Sequence, residues 1–291
     1  MKIAVLSGKG GTGKTTVAAS LATVLPDSQY ADCDVEEPNG FIFLRPDLLD
    51  PIDVQVLVPQ VDPDACTGCG ACGRICQFNA IAVVKKNVLI FPELCHHCGA
   101  CILVCEPGAL CEVKRTIGTI ECDKSGSFIQ GRLIIGEPAG IPIIEAIKQS
   151  LDPQRTAILD CSPGAACTVV KSLEGIDFAL LVTEPTPFGL HDLRIAVRLV
   201  QKMEISAGVV INKAGSDNHI ITDFCRQYQL PVLLEIPFSR TIAEHYADGR
   251  LPIDGDPIWQ ARFLELAEKI HSLVKTAPLS GDDNHDGEVR P

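Results

Sequence analysis

"SGKGGTGKTT" spans residues 7 to 16 and follows directly on the apolar run "KIAVL" of residues 2 to 6. An apolar strand that runs into GxxxxGK(S/T) and then into a helix is a phosphate-binding loop, and Gly8 through Thr15 satisfy that spacing. The helix is predicted from Val17, Ala18, Leu21, Ala22 and Leu25, which recur at helical intervals. Gly8, Gly10, Gly11 and Gly13, with Thr12 between, let successive backbone N–H groups converge on phosphate oxygens, and Thr16 extends the same turn. Lys14 is placed to reach the terminal phosphates, and the Thr15 hydroxyl to ligand Mg²⁺. Lys9 is a second lysine that this chemistry does not require.

Outward from the loop, composition bounds the answer. The chain has 291 residues, 46% of them apolar and 21% charged, as a globular protein with a large core has. No run of apolar residues is long enough to span a bilayer, and the N-terminus lacks the pattern of a signal peptide, so a cytoplasmic chain without an integral membrane segment is expected. With 25 basic and 37 acidic residues the formal charge is −12, which disfavours nucleic acid and anionic membranes as partners.

Fourteen cysteines in a reducing compartment point to metal ligation rather than disulfides. Eight of them form two runs, "CTGCGACGRIC" (Cys66, Cys69, Cys72, Cys76) and "CHHCGACILVC" (Cys95, Cys98, Cys101, Cys105), at a constant offset of 29 residues. Pro63 matches Pro92, Ala71 matches Ala100 and Ala80 matches Ala109, so the segment is an internal duplication. Two CxxCxxCxxxC runs resemble the bacterial two-cluster ferredoxins, in which the fourth cysteine of each run crosses to the other cluster. That resemblance implies one 4Fe–4S cluster on Cys66, Cys69, Cys72 and Cys105, and a second on Cys95, Cys98, Cys101 and Cys76. Two departures affect the local turns: Gln77 rather than proline follows Cys76, and Glu106 separates Cys105 from Pro107. Structural zinc is the alternative for CxxC pairs.

Lys9 turns the loop into the form KGGxGKT, and here the chain resembles the MinD/Mrp superfamily of P-loop ATPases, which includes the nitrogenase iron protein and iron–sulfur scaffold ATPases. The resemblance implies a dimer of identical or paralogous subunits, with Lys9 reaching the phosphates bound by its partner. It further implies that Asp34 in "YADCDVEEPN" orients the attacking water with Asp32 in support, and that Asp160, ending "TAILD", holds Mg²⁺ through water. Gly164 would sense the γ-phosphate, although Ser162 stands before Pro163 where the family usually has a second proline. Asn212 in "GVVINKA" would contact the adenine edge, and the segment around Pro237 would line the base.

Strands alternating with helices predict an α/β fold, a doubly wound and mostly parallel sheet of the P-loop NTPase kind with an inserted α+β ferredoxin-like domain. The expected division is an ATPase part over 1–59, the two-cluster ferredoxin domain over 60–114, the rest of the ATPase over 115–276 and a disordered acidic tail over 277–291. Two β-rich runs around "KSG" predict a hairpin just after the insert. The last helix, "PIWQARFLELAEKIHSLV", reads as a packing helix rather than a membrane anchor because its flank lacks the basic residues such anchors use.

Six cysteines lie outside the runs, namely Cys33, Cys111, Cys122, Cys161, Cys167 and Cys225, and most read as small apolar side chains. Cys167 stands out. It lies at the offset from Asp160 where the nitrogenase iron protein carries a cysteine for its intersubunit cluster, but the "GEPAG" segment here offers Pro138 in place of the second. A late CxxC, usual in the scaffold ATPases, is missing after Cys167. The resulting reading is a dimeric Mg²⁺–ATP switch carrying two 4Fe–4S clusters and coupling nucleotide state to electron transfer to a redox partner. Its alternatives are assembly or delivery of a metal cofactor to a protein partner, and partner positioning of the MinD/ParA kind.

Overall fold

The computed structural model describes residues 1–276; the expected acidic tail lies outside the described residues. In chain order the elements begin with β1 (Lys2–Leu6), α1 (Lys14–Val24), β2 (Ser28–Cys33), α2 (Gly40–Leu44) and β3 (Ile52–Val61). There follow α3 (Ala71–Ile75), β4 (Ile81–Val84), β5 (Asn87–Ile90), α4 (Ala100–Leu103), β6 (Leu110–Cys122) and β7 (Phe128–Leu133). The second half continues with α5 (Ile141–Gln149), β8 (Thr156–Cys161), α6 (Cys167–Leu173), β9 (Phe178–Thr183) and α7 (Pro187–Lys202). It ends with β10 (Ala207–Ala214), α8 (His219–Gln227), β11 (Val232–Pro237), α9 (Arg240–Ala247) and α10 (Pro257–Thr276).

Nine strands form one sheet in the order β11-β10-β9-β1-β8-β2-β7-β6-β3. From β11 to β7 every pairing is parallel, whereas β7–β6 and β6–β3 are antiparallel. The central strands read as continuous apolar runs because both of their faces are covered. One face packs on α1 and α10 through Val17, Leu21, Phe263, Leu266 and Ile270, and the other on α5 to α8 through Ile143, Ile147, Val169, Val197 and Ile221. This is the doubly wound arrangement, and the α10 stripe is inside it.

The hairpin expected around "KSG" is β6–β7, with Cys122 opposite Ile129. Asp123 closes the turn by accepting from the Phe128 amide at 2.9 Å and from the Ser127 hydroxyl at 3.0 Å. At the far edge, β3 and β6 form a long antiparallel ribbon that carries α3, α4 and the β4–β5 hairpin at one end. Pro59 lies within β3, opposite Glu112, and is tolerated because β3 is an edge strand.

Candidate functional site

The loop leaves β1 at Ser7 and enters α1 at Lys14, with Gly11 at φ 77° and Gly13 at φ 92°. Both conformations lie in the left-handed region that glycine adopts without strain. Thr12 is buried, and its hydroxyl has no hydrogen-bond partner among the described residues. Gly8 lies against Asp192 of α7, where a Cβ would come within 2.4 Å of the Asp192 Cβ, so it sets the packing of the loop.

Lys14 is buried, and its Nζ lies 2.7 Å from Asp160 Oδ1 and 4.0 Å from Asp34 Oδ2. Burial opposes its charge, but the Asp160 carboxylate, with Asp34 and Asp32 behind it, outweighs burial and holds the pKa above the usual lysine value. Asp160, next to last in β8, lies beside Asp32 of β2, and both are fully buried. Burial and the Asp160 charge push Asp32 up to about 7, against backbone hydrogen bonds and the Lys14 charge. Asp34 is also raised, first by burial and then by Asp160, with Lys14 pulling the other way.

Asp32 faces backbone. Its Oδ2 accepts from the Gly40 and Asn39 amides at 2.9 and 3.0 Å, and its Oδ1 from the Asp34 amide at 3.1 Å, so it pegs the segment 34–40 to the sheet. On the other side the Gly164 amide donates to the Ser7 carbonyl at 2.9 Å, tying the segment after β8 to the loop. Lys9 does not point into open solvent. Its ammonium pairs with Glu184 after β9, which also takes Lys213 at 3.1 Å. Burial works against the Glu184 carboxylate, but hydrogen bonds from Lys9 and Lys213 prevail and lower its pKa.

Two adjoining clefts open on this loop. A cleft of about 610 Å³ is lined by Lys9, Gly10, Lys14, Thr15, Thr16 and Asp34, and one of about 990 Å³ by Asn212, Pro237, Phe238, Ile242 and Tyr246; Gly11 and Gly13 border both. The first carries the Lys9 and Lys14 ammonium groups and the Thr15 and Thr16 hydroxyls beside the Asp34 and Glu37 carboxylates, and the second is largely apolar, a pairing that suits the phosphates and the base of one nucleotide. Asn212 Nδ2 donates to the Thr12 carbonyl at 2.7 Å, so it holds the loop from the base side.

The sequence pattern did not single out Tyr30, Glu184 or Lys213. Tyr30 shares the face of Asp32 by strand periodicity, the one local signal for it. Its hydroxyl donates to Asp160 Oδ2 at 2.9 Å.

The eight clustered cysteines gather around two separate cavities. One is lined by Cys76, Cys95, Cys98 and Cys101, and the other by Cys66, Cys69, Cys72 and Cys105. Each cavity thus takes three cysteines from one run and the fourth from the other. The duplication is visible in the backbone at the same 29-residue offset: Gly68 and His97, Gly70 and Gly99, and Asn79 and Gly108 are all left-handed. Likewise the Asp62 amide donates to Ala109 and the Phe91 amide to Ala80, at 2.7 and 2.8 Å.

Among the described residues no three His, Cys, Asp or Glu side chains converge closely enough to hold a single metal ion. Burial raises Cys72, Cys95 and Cys101, whereas the Ala71 amide lowers Cys69. The His97 amide donates to Cys95 Sγ at 3.4 Å. An all-thiolate donor set around a cavity, with N–H groups aimed at sulfur, fits an iron–sulfur cluster. Of the remaining cysteines Cys33, Cys161 and Cys225 are buried, Cys122 is half-buried, and Cys111 and Cys167 are exposed.

Known proteins bear on this arrangement. A sequence-family model described as the CobQ/CobB/MinD/ParA nucleotide-binding domain matches residues 3–253. An uncharacterized protein of Methanocaldococcus jannaschii is 32% identical over 282 residues, covering 94% of this chain and 98% of that protein. A Pyrococcus abyssi protein described as an iron-sulfur cluster carrier protein is 24% identical over 319 residues, covering 97% of this chain and 88% of that protein. The crystal structure of the Pyrococcus furiosus cell division ATPase MinD matches with a TM-score of 0.54 at 22% identity, over 94% of this chain and 98% of that one, a likeness of fold. No described helix is long and apolar enough to cross a membrane.

Proposed function

The chain belongs to the CobQ/CobB/MinD/ParA nucleotide-binding family, and on that premise we propose that it is a dimeric Mg²⁺–ATP switch whose inserted ferredoxin module holds two 4Fe–4S clusters and delivers electrons to a redox partner under nucleotide control. Within this reading the P-loop amides and Lys14 bind the phosphates, and Thr15 and Asp160 hold Mg²⁺, the latter through water. Asp34 orients the attacking water, and Lys9 reaches the phosphates of the other subunit. Such chemistry is largely positioning and electrostatic stabilisation. The clusters, when bound, supply one-electron redox capacity, and the chain's part is to ligate them with Cys66, Cys69, Cys72 and Cys105 in one set and Cys95, Cys98, Cys101 and Cys76 in the other.

What supports the coupling is a path of contacts, joined by one short length of chain, between the two sites. Arg115 of β6 makes a two-pronged pair with the nearly buried Glu137, one arm at 2.8 Å, and also donates to the Pro92 carbonyl at 3.3 Å, three residues before Cys95. Glu137 lies in the segment joining β7 to α5, where the Leu133 amide donates to Val35 at 2.8 Å. At the other end of that segment Gly140 is so close to Val35 that a Cβ would come within 2.6 Å of it, with Thr168 of α6 behind at 3.6 Å. Val35 follows Asp34, and α6 follows Gly164, so a shift of either nucleotide-facing segment bears on the support of the second cluster.

A second reading, delivery of a cluster to an apo-acceptor, draws on the relatives described as iron-sulfur cluster carrier proteins. Each cysteine set here has four ligands of its own, which suits retention more than release. The deciding experiment is an anaerobic redox titration of the reconstituted protein followed by electron paramagnetic resonance, with and without Mg²⁺–ATP. A nucleotide-induced shift of tens of millivolts, where ~59 mV is tenfold for one electron, is expected. Unchanged potentials together with loss of iron to an apo-ferredoxin would establish the carrier reading instead.

A further inference from the structure

Tyr30 is the largest fully buried polar-tipped side chain of the sheet, and its hydroxyl stands between two carboxylates. It donates to Asp160 Oδ2 at 2.9 Å and lies 3.5 Å from Asp32 Oδ2. Its ring stacks on Phe128 of β7 with centroids 5.5 Å apart and planes 18° apart. Against it α2 begins at the buried Gly40, where a Cβ would fall 2.2 Å from the phenolic oxygen. The hydroxyl is therefore boxed in by the ring stack, the two acids and a glycine that has to be a glycine.

From this geometry we propose that Tyr30 is the positioning residue for Asp160: its hydroxyl fixes one carboxylate oxygen so that the other is presented to Lys14 and to the Mg²⁺ site. The proposal rests on the reading of Asp160 as the carboxylate that serves Mg²⁺ through water. Asp160 divides its oxygens between the two donors, Oδ1 to Lys14 and Oδ2 to Tyr30. When Lys14 turns to the phosphates of a bound nucleotide, Oδ1 is released while the Tyr30 bond persists, and the carboxylate keeps its orientation instead of rotating in a site that has to present one oxygen accurately. Against a carboxylate oxygen, which has no proton to give, the Tyr30 hydroxyl serves as the donor. The same hydroxyl borders Asp32, which also accepts from the amides of Asp34, Asn39 and Gly40. Tyr30 thereby joins the peg of the 34–40 segment to the Mg²⁺ carboxylate.

The test uses the full chain with Tyr30→Phe, which removes one oxygen and keeps the ring stacked on Phe128, alongside Asp160→Asn as reference. Three quantities are measured: thermal midpoint, the Mg²⁺ concentration giving half-maximal binding of a non-hydrolysable ATP analogue, and steady-state ATP hydrolysis. Tyr30→Phe is expected to keep the midpoint within a few degrees and metal-free nucleotide affinity within about twofold. It is expected to raise the Mg²⁺ requirement several-fold and to lower kcat at saturating Mg²⁺ by about tenfold, an effect of ~1.4 kcal/mol on the barrier. A purely structural tyrosine would change the midpoint and leave the Mg²⁺ requirement alone, and that result overturns the proposal. If Asp160→Asn also leaves the Mg²⁺ requirement unchanged, the reading of Asp160 falls and the proposal with it. A normal Asp160 dependence with an indifferent Tyr30→Phe removes only the role of Tyr30.

Discussion

The Lys9 ammonium, which lines the polar cleft at the loop, is paired with Glu184 of its own chain. Lys213 shares the same carboxylate and also reaches the Gly11 carbonyl at 3.3 Å, so two cations and one acid brace the loop. A lysine that serves a second subunit has to leave this pair first. Its departure leaves Glu184 with Lys213, so the carboxylate is not stranded.

Weakening the hold on Lys9 should therefore favour association. Glu184→Gln is expected to increase the dimer fraction at limiting ATP by several-fold, whereas Lys9→Ala should abolish ATP-dependent dimer formation and leave nucleotide binding to the single chain within a few-fold. Light scattering coupled to size-exclusion chromatography, with and without Mg²⁺–ATP, reads both. An unchanged dimer fraction in Lys9→Ala would remove its intersubunit role.

The crossed cysteine sets predict a pattern of iron loss that single variants cannot reveal. Cys66→Ala with Cys105→Ala removes two thiols from one cavity, and should retain about half of the iron and acid-labile sulfide, as Cys66→Ala alone should. Cys66→Ala with Cys76→Ala removes one ligand from each cavity and should lose nearly all of it. Equal iron in the two double variants would contradict the crossing.

Asp32 makes folding stability depend on pH in a particular direction. Its pKa in the fold, about 7, exceeds the ordinary 3.8, so between those values the folded chain holds a proton that the unfolded chain has lost. Stability from this group is then greatest at low pH and falls as pH rises through about 7. Asp34 is raised as well and adds a contribution of the same sign, whereas the raised Lys14 acts only near its own, much higher pKa. The nucleotide-free protein is expected to lose several degrees of thermal midpoint from this source between pH 5 and pH 8, and Asp32→Asn should flatten the slope. A parallel slope in Asp32→Asn would assign the dependence to other groups.

Glu137→Gln tests communication between the sites without touching either. It keeps the shape of the side chain but removes the charge that holds Arg115 beside Pro92. Hydrolysis should change less than about twofold, while the nucleotide-induced shift in cluster potential should shrink to less than half. Retention of the full shift would show that the coupling does not pass through this pair.

Much of the candidate nucleotide site was legible because its chemistry is local. The spacing from Gly8 to Thr15, the strand before it and the helix after it are neighbours in sequence, and backbone conformation alone turns them into a phosphate cradle. The sheet class was legible from apolar strands alternating with amphipathic helices, and the "KSG" turn from its flanking β-rich runs. Tyr30 was not legible, because its meaning depends on an acid 130 residues away that only strand pairing brings to it. Glu184 and Glu137 escaped for the same reason, each being an ordinary surface acid until a distant lysine or arginine meets it.

By itself, then, the sequence determined which residues are the candidates: the glycine-rich loop after β1, the acids near the ends of β2 and β8, and two duplicated sets of thiols whose spacing suits clusters. Those assignments rest on distances along the chain, which covalent geometry and regular secondary structure convert directly into distances in space. The tertiary structure alone decided how these groups are held: Lys14 between Asp160 and Asp34, Lys9 on Glu184, Tyr30 on Asp160, and Arg115 bridging Glu137 to the loop before Cys95. Such contacts arise when the sheet places remote strands side by side and burial makes an unpaired charge or hydroxyl costly, and no local pattern encodes which partner will answer it.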